Sequence, residues 1–319
     1  MNTTQTLIVA AGAQALLAVF TWWPRAATLD GPATALFPED AAFSFIEVER
    51  EGADPVRVER KAGSWVLASH HDAPADEAKV DEVLDALRGI TLRTAVATSA
   101  ASHDALKVGE EDFGRKVRAR AGDTEVSFTA GAAASKSVHI RLDGESTVYK
   151  VSGPSEWSFK DTPRSYLPTY LIDEDPKTLE SFSLSNAKGR VEVVNQAGTW
   201  VPVGAPGFAV DGEALDKLLK KALQVRITEV AGRGDDPAWG LAEPVATVAW
   251  SVDDAGQSVP AGYAIGPEVS GKHAVRRDGD DLVIQSARYG LKDLLEADPE
   301  ALLVDAPEQP PEAPDLSAE

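Results

Sequence analysis

Apolar and polar residues alternate along several short stretches of the chain. In two longer stretches, the apolar residues recur at the spacing of a helix. FSFIEVEREG (43–52) carries apolar side chains at alternate positions, which is typical of a strand with one buried face. PVRVERKAGSWVLAS (55–69) indicates two strands joined by a tight turn. EAKVDEVLDALRG (77–89) follows Asp76, a good N-cap residue, and predicts an amphipathic helix. The residues of its apolar face are Val80, Val83, Leu84 and Leu87.

The same order of elements recurs 135 residues later. AGSWVL (62–67) returns as AGTWVP (197–202), and Asp211 precedes a second amphipathic pattern. The apolar face there consists of Leu215, Leu218, Leu219 and Ala222. Asp-Gly turns recur as well, at 143–144 and 278–279. Repeats at a fixed offset indicate copies of one folding unit.

The pattern predicts an α+β fold made of two tandem copies, each a mostly antiparallel sheet with one covering helix. The first copy spans 38–172 and the second 178–304, with a polar, turn-rich linker between them. Trp65 and Trp200 recur at equivalent positions and are predicted core aromatics. The recurring residues are apolar residues, glycines, a capping aspartate and turns, which are parts of a scaffold rather than reactive groups.

The first 30 residues form a predicted membrane anchor and linker. Residues 7–23 carry no charge, and as a helix they would be about 25 Å long, near the lower limit for crossing a bilayer. Trp22 and Trp23 suit the membrane interface. This segment predicts a single N-terminal transmembrane helix, with a cleaved secretory signal peptide and a buried soluble helix as alternatives.

Charge and composition narrow the function classes. The net charge of −20 disfavours binding to nucleic acid. The absence of cysteine rules out disulfides, thiolate nucleophiles and cysteine metal sites. Residues 305–319 hold four prolines and no basic residue, which predicts a disordered acidic tail.

No motif predicts a catalytic, cofactor-binding or metal-binding residue. GPEVSGK (266–272) resembles a phosphate-binding loop, but His273 stands where Ser or Thr is needed and no helical pattern follows, so no nucleotide is expected. The five histidines lack metal-ligand spacing on a helix. Acidic residues are too numerous for a catalytic pair to be named, and the chain is predicted not to be an enzyme.

One basic segment differs from the acidic background and is absent from the second copy. It contains Arg115, Lys116, Arg118 and Arg120, the candidate residues for contact with an acidic partner or lipid headgroups. The last three alternate with apolar residues and share one face of a predicted strand. The alternative is an edge strand that positive charge protects against unwanted pairing.

Short motifs give the chain a family resemblance. They are the GxW phrase, an Asp before an amphipathic helix, Leu106-Lys-Val-Gly109 with Trp239-Gly240-Leu241, and Thr129-Ala-Gly131 with Ala264-Ile-Gly266. With the apolar N-terminus, this pattern resembles the bacterial family catalogued as domain of unknown function 4340, from Leu7 to about Leu303. Members are envelope proteins, often encoded beside ABC transporters of the gliding-motility type. The resemblance implies an accessory role and brings no catalytic residues.

These observations together lead to one hypothesis and two alternatives. We expect a single-pass protein of the bacterial inner membrane, anchored by residues 7–23, with most of the chain in the periplasm. It would be a non-enzymatic accessory protein whose partners are membrane components of an ABC-type transporter, and it would need no cofactor. The alternatives are an envelope hydrolase with carboxylates in a cleft between the copies and a periplasmic binder of a small ligand.

Overall fold

Antiparallel strands dominate the part of the chain that the computed structural model describes, residues 29–133 and 136–306. Strands account for 46% of these described residues and helices for 19%. The chain divides into two compact units. The first comprises the residues up to Trp65 and Glu77–Thr162, and the second comprises Val66–Asp76 and the residues from Pro163 onward.

One sheet is built along residues 29–152, in the order β1-β6-β10-β9-β8-β7-β2-β3-β4-β5. Its strands are β1 (Leu29–Ala35), β2 (Phe43–Glu49), β3 (Val56–Lys61), β4 (Ser64–Leu67), β5 (Ala73–Pro74), β6 (Thr91–Ala97), β7 (Arg115–Ala121), β8 (Thr124–Ala132), β9 (Ser137–Leu142) and β10 (Val148–Ser152). The helices are α1 (Glu77–Arg88) and the short α2 (Ala100–Ala105).

A second sheet has the order β13-β12-β11-β16-β17-β18-β19-β15, and β14 pairs separately with β20. The strands are β11 (Leu179–Asn186), β12 (Gly189–Gln196), β13 (Thr199–Pro202), β14 (Phe208–Val210), β15 (Glu229–Arg233), β16 (Ala246–Asp254), β17 (Gln257–Val269), β18 (Lys272–Arg277), β19 (Leu282–Ala287) and β20 (Leu303–Asp305). The helices are α3 (Gly212–Leu223) and α4 (Arg288–Leu295).

The two sheets share one topology. The order β6-β10-β9-β8-β7-β2-β3-β4 corresponds strand for strand to β15-β19-β18-β17-β16-β11-β12-β13. Along the chain, a short strand follows β4 or β13, and a 12-residue helix comes next in both copies. The repeat in the sequence is therefore a repeat of fold. One boundary between the compact units lies between Thr162 and Pro163. The sequence instead predicts that the first copy ends at 172 and the second begins at 178, and these boundaries stay predictions.

The predicted α+β class is wrong, because the protein is mostly β. Each copy has one helix of 12 residues, whereas the segments that follow the helices form long hairpins in which β17 alone spans 13 residues. Among the described residues, no helix has the length and apolar character needed to cross a membrane. The predicted span at 7–23, with Trp22 and Trp23, lies outside the described residues, as does the tail from residue 307.

Both long helices bury the faces that the sequence predicts. In α1 the buried residues are Val80, Val83, Leu84 and Leu87. In α3 they include Leu215, Leu218, Leu219 and Ala222, and the Asp211 carboxylate accepts a hydrogen bond from the Ala214 amide at 3.0 Å. The Tyr263 hydroxyl of β17 donates to the Ala222 carbonyl at 2.8 Å, and burial raises the pKa of this phenol. Trp65 is buried, whereas Trp200 is only half-buried.

Two glycines allow another part of the backbone to cross the sheet closely. A Cβ atom on Gly131 of β8 would overlap the carbonyl oxygen of Leu106. A Cβ atom on Gly266 of β17 would overlap the carbonyl oxygen of Trp239 in the same way. The segments at Leu106 and Trp239 therefore lie against β8 and β17, which are equivalent inner strands of the two sheets, and only glycine leaves room for them.

Candidate functional site

The two faces of β7 differ in character. Arg115, Val117 and Ala119 are buried, while Lys116 and Arg118 are half-buried and Arg120 is exposed. Lys116, Arg118 and Arg120 thus share a face, as the alternation predicts, and Arg115 lies on the opposite one. Because β7 lies between β8 and β2 in the sheet, the alternative of a charge-protected edge strand is wrong.

The arginines on the more exposed face of β7 belong to a cluster of ion pairs. Glu47 lies between Arg118 and Arg57 across neighbouring strands, with N–O distances of 2.8 and 2.6 Å. The guanidinium groups of both arginines and of Arg120 lie over the Phe45 ring, at 5.0 to 5.7 Å from its centroid. Cation–π contacts and ion pairs of this kind fix side chains on a sheet face.

Arg120 and Lys116 lie on the same face of β7 and have different contacts. Arg120 Nε donates to Glu125 at 2.9 Å, and this hydrogen bond holds the pKa of the Glu125 carboxyl below its ordinary value. Among the described residues, Lys116 has no carboxylate within 4.0 Å, and its ammonium lies 4.3 Å from the centroid of the Phe113 ring. The three candidate arginines of β7 are already in ion pairs, whereas Lys116 has no such pair in the described part of the chain. Contact of the four candidate residues with a partner stays a prediction.

Arg115 has a structural position on the buried face. Its side chain is 3% exposed and lies 2.8 Å from Glu156 and 3.2 Å from Asp161. The guanidinium carbon lies 4.8 Å from the ring centroid of Trp157, which is 72% exposed. This residue therefore holds the segment after β10 against the sheet.

Equivalent shallow cavities occur on the two sheets and differ in chemistry. The first, of about 240 Å³, is bordered by charged residues that include Glu47, Lys116 and Asp143. The second, of about 360 Å³, lies on the corresponding strands and ends at Asp278, the counterpart of Asp143. Its lining is dominated by serine, alanine and aromatic residues: Ser181, Ser183, Ser251, Ala249, Ala261, Phe182 and Trp250. The two copies therefore share a strand topology but differ in the side chains on the surface of the sheet.

The second unit has an apolar groove, which we define by Val203, Phe208 and Leu303. Its volume is about 450 Å³, and Glu192 and Glu300 stand at its rim. Phe208 is 46% exposed and Val203 is 48% exposed. Large apolar side chains that remain this accessible and lie together are typical of a protein-binding surface.

Backbone hydrogen bonds hold the apolar groove in shape. The Val203 amide donates to the Glu192 carbonyl at 2.8 Å, and the Ala306 amide donates to the Gly207 carbonyl at 3.0 Å. Pairing of β14 with β20 places Phe208 opposite Asp305. In the first copy, β5 consists only of Ala73 and Pro74, and Ala73 is fully buried. The groove is thus a feature of the second copy.

Sequence analysis did not predict this groove, although a signal was present. VPVGAPGFAV (201–210) has no charge, whereas VLASHHDAPA (66–75) fills the corresponding place in the first copy with polar residues. The uncharged stretch was consistent with a buried strand as well. Only the pairing with β20, almost 100 residues later in the chain, shows that Phe208 stays exposed.

His139 and His273, which lie one position off register between the copies, each hydrogen-bond to a carbonyl seven residues earlier in the chain. His139 Nδ1 is 2.9 Å from the Ala132 carbonyl, and His273 Nδ1 is 2.9 Å from the Gly266 carbonyl. A carbonyl oxygen can only accept, so Nδ1 carries the proton in both. Within the described ranges, no group of three or more potential ligands is placed to hold a metal ion. These histidines are parts of the scaffold.

We expect His139 to make stability depend on pH. Burial lowers the pKa of His139, so the unfolded chain binds a proton near pH 6.5 while the folded protein does so only at lower pH. Stability is then fully present above pH 6.5 and decreases as the pH falls through the folded pKa. His139→Gln should flatten this decrease in urea unfolding measured from pH 8 to 5. An unchanged slope in the variant would contradict the assignment.

The family described as Domain of unknown function (DUF4340) matches residues 65–244. This chain belongs to that family. The match begins at Trp65 and ends in the second copy, a narrower range than the resemblance from Leu7 to Leu303. No curated protein matches the chain, and no solved structure does.

The motifs on which the sequence resemblance rests meet in the fold. Leu106-Lys-Val-Gly109 passes over Gly131, and Trp239-Gly240-Leu241 passes over Gly266. In the second copy Leu241 packs with Ala274 and Val283, and Trp239 borders this cluster. These motifs therefore specify a backbone crossing and its packing.

Proposed function

We propose that this family member is a non-enzymatic interaction protein of an extracytoplasmic envelope assembly. The observation that carries the proposal is the apolar groove, an exposed docking surface that the second copy has and the first lacks. The association with membrane components of an ABC-type transporter rests on the family resemblance, which is an argument by analogy.

The chemistry of the groove indicates the kind of partner. Phe208 and Val203 offer apolar surface, and Arg190 neutralises Glu192 at 2.9 Å, so Glu300 is the lining carboxylate that adds negative charge in a chain whose net charge is −20. A complementary partner is a protein segment that inserts an apolar side chain and carries Lys or Arg beside it. The acidic residues 307–319 of the chain itself have the wrong charge for this position.

Two carboxyl groups of the first unit have pKa values shifted away from those of a general acid. Arg141 donates to Glu110 at 2.7 Å, and this hydrogen bond lowers the pKa of that carboxyl. Arg120 lowers the pKa of Glu125 in the same manner. A general acid needs the opposite shift, so that it stays protonated near neutral pH.

Crosslinking followed by affinity purification tests the proposal. The full-length chain is purified from native envelopes as the wild type, as the groove variant Val203→Ser/Phe208→Ser, and as the control Val259→Ser. Val259 is 40% exposed and lies outside the groove, so the control makes the same kind of change elsewhere. Mass spectrometry identifies and quantifies the captured proteins, and circular dichroism checks that each variant is folded.

The wild type and Val259→Ser should recover the same envelope partner, an ABC-type permease or ATPase subunit. The groove variant should recover at least about tenfold less, because the loss of a central aromatic contact weakens an interface by 2 kcal/mol or more. Equal recovery with the folded groove variant would contradict docking at the groove. Recovery of no envelope protein with the wild type would contradict the interaction role.

A further inference from the structure

Another cavity of the second unit lies where α4 begins and is distinct from the apolar groove. It has a volume of about 220 Å³. Its lining comes from the end of β19, the first turn of α4, the end of α3 and four residues outside these elements. The residues that matter for the argument are Ser286, Gly290, Lys221, Arg226, Tyr170 and Tyr289.

The first turn of α4 faces this cavity without a capping side chain. Ala287 is the N-cap residue and makes no side-chain hydrogen bond. The Arg288 amide donates to the Gly271 carbonyl at 3.0 Å, while Tyr289 and Gly290, the next residues of the turn, line the cavity. Amide groups at a helix N-terminus carry partial positive charge and attract anions.

A buried hydroxyl also lies beside this helix turn. Ser286 is fully buried, and its Oγ has no hydrogen-bond partner within the described part of the chain. A Cβ atom built on Gly290 would lie 3.8 Å from this oxygen, so the hydroxyl faces the first turn of α4. Buried hydroxyls are normally satisfied, and an unsatisfied one needs an explanation.

Two cations border the same cavity. Arg226 lies over the Tyr170 ring at 5.6 Å and has no carboxylate within 4.0 Å among the residues that the structure describes. Lys221 Nζ lies 3.0 Å from Asp293. The charge of Arg226 also helps to lower the pKa of Arg164, behind the larger effect of burial and against the effect of Asp76. Asp293 therefore balances Lys221, and Arg226 brings a positive charge to the cavity that no nearby described carboxylate balances.

We propose that this cavity binds a phosphate group through Ser286, the first turn of α4, Arg226 and Lys221. Four separate donors surround the space, and a phosphate has enough oxygens to reach all of them, whereas a carboxylate has two. The phenol rings of Tyr170 and Tyr289, 38% and 79% exposed, flank the opening and leave room for the organic part of a phosphate ester.

Titration calorimetry with the full chain tests this site in chloride buffer. The probes are inorganic phosphate, glycerol 3-phosphate and acetate, and vesicle co-sedimentation compares phosphatidylcholine with and without phosphatidic acid. The variants are Arg226→Gln, Ser286→Ala and the control Arg190→Gln. Arg190 pairs with Glu192 at 2.9 Å and lies outside this cavity. Thermal unfolding checks that each variant is folded.

Saturable binding of a phosphate probe should weaken about tenfold in Arg226→Gln and several-fold in Ser286→Ala, and it should be unchanged in Arg190→Gln. Glycerol 3-phosphate binding without vesicle binding indicates a soluble phosphate ester, and retention on phosphatidic acid indicates a lipid headgroup. Binding that is absent for every phosphate probe, equal for acetate, or insensitive to both cavity variants overturns the proposal. The site does not depend on the apolar groove, so either proposal can fail alone.

Discussion

Arg115→Met is expected to lower the free energy of unfolding of the first unit by about 3–5 kcal/mol. The guanidinium lies between Glu156 and Asp161, each 13% exposed, and its removal leaves Glu156 without an ion-pair partner and Asp161 with Arg50 alone, at 3.4 Å. Urea unfolding followed by tryptophan fluorescence measures the change, because Trp157 stacks on this arginine.

Two comparisons separate this ion-pair network from loss of packing. Arg120→Met removes a partly exposed pair and should cost less than about 1 kcal/mol. Adding Glu156→Gln and Asp161→Asn to Arg115→Met should restore a large part of the stability, since no uncompensated charge remains. If Arg115→Met is no more costly than Arg120→Met, the network does not fix the segment after β10.

Gly131→Ala and Gly266→Ala should each cost about 3 kcal/mol, the upper range for overpacking. In each case the new methyl group overlaps a backbone carbonyl oxygen, which cannot move aside as a flexible side chain can. Thermal and urea unfolding measure the loss. The equal effects expected at the two sites follow from the equivalence of the two copies.

Gly212→Ala is the matched control for these glycines. Gly212 is the first residue of α3, and a Cβ atom there meets nothing within 4 Å. Alanine should be neutral or stabilise the protein by up to about 1 kcal/mol, because it reduces the entropy of the unfolded chain. Tolerance of alanine at Gly131 and Gly266 would show that the loop does not cross the sheet so closely.

Local periodicity was enough to predict the two long helices, α1 and α3, and much of the repeat, whereas the shorter α2 and α4 were not predicted. The buried faces of α1 and α3 are those that the spacing of Val80 and Leu84, and of Leu215 and Leu219, indicates. The N-cap at Asp211 was equally readable. These features depend on residues within a few positions of each other, so the sequence contains them directly.

The fold class and the surfaces depend on longer-range information. The balance of strand over helix follows from how far the hairpins extend, and in β17 the strand continues through the turn-like residues Gly262 and Pro267. The placement of Arg115 was a missed signal, because strand alternation already groups it with Val117 rather than with Lys116. Its partners at 156 and 161 were not predictable from spacing.

Both proposed binding sites are assembled from distant segments. The apolar groove requires residues near 203 and 303, and the phosphate cavity requires residues near 170, 226 and 286. No short motif marks either one. The motifs on which the sequence resemblance rests mark the crossing over Gly131 and Gly266.

Photo-crosslinking in native cells tests the central claim most directly. A photoreactive amino acid replaces Phe208 in the apolar groove or Val259 outside it, in the full-length chain, and mass spectrometry identifies the adducts. We predict a discrete adduct at position 208 with an envelope protein and none of it at position 259. The same adducts at both positions, or only adducts with residues 307–319 of the same chain at position 208, would contradict the account.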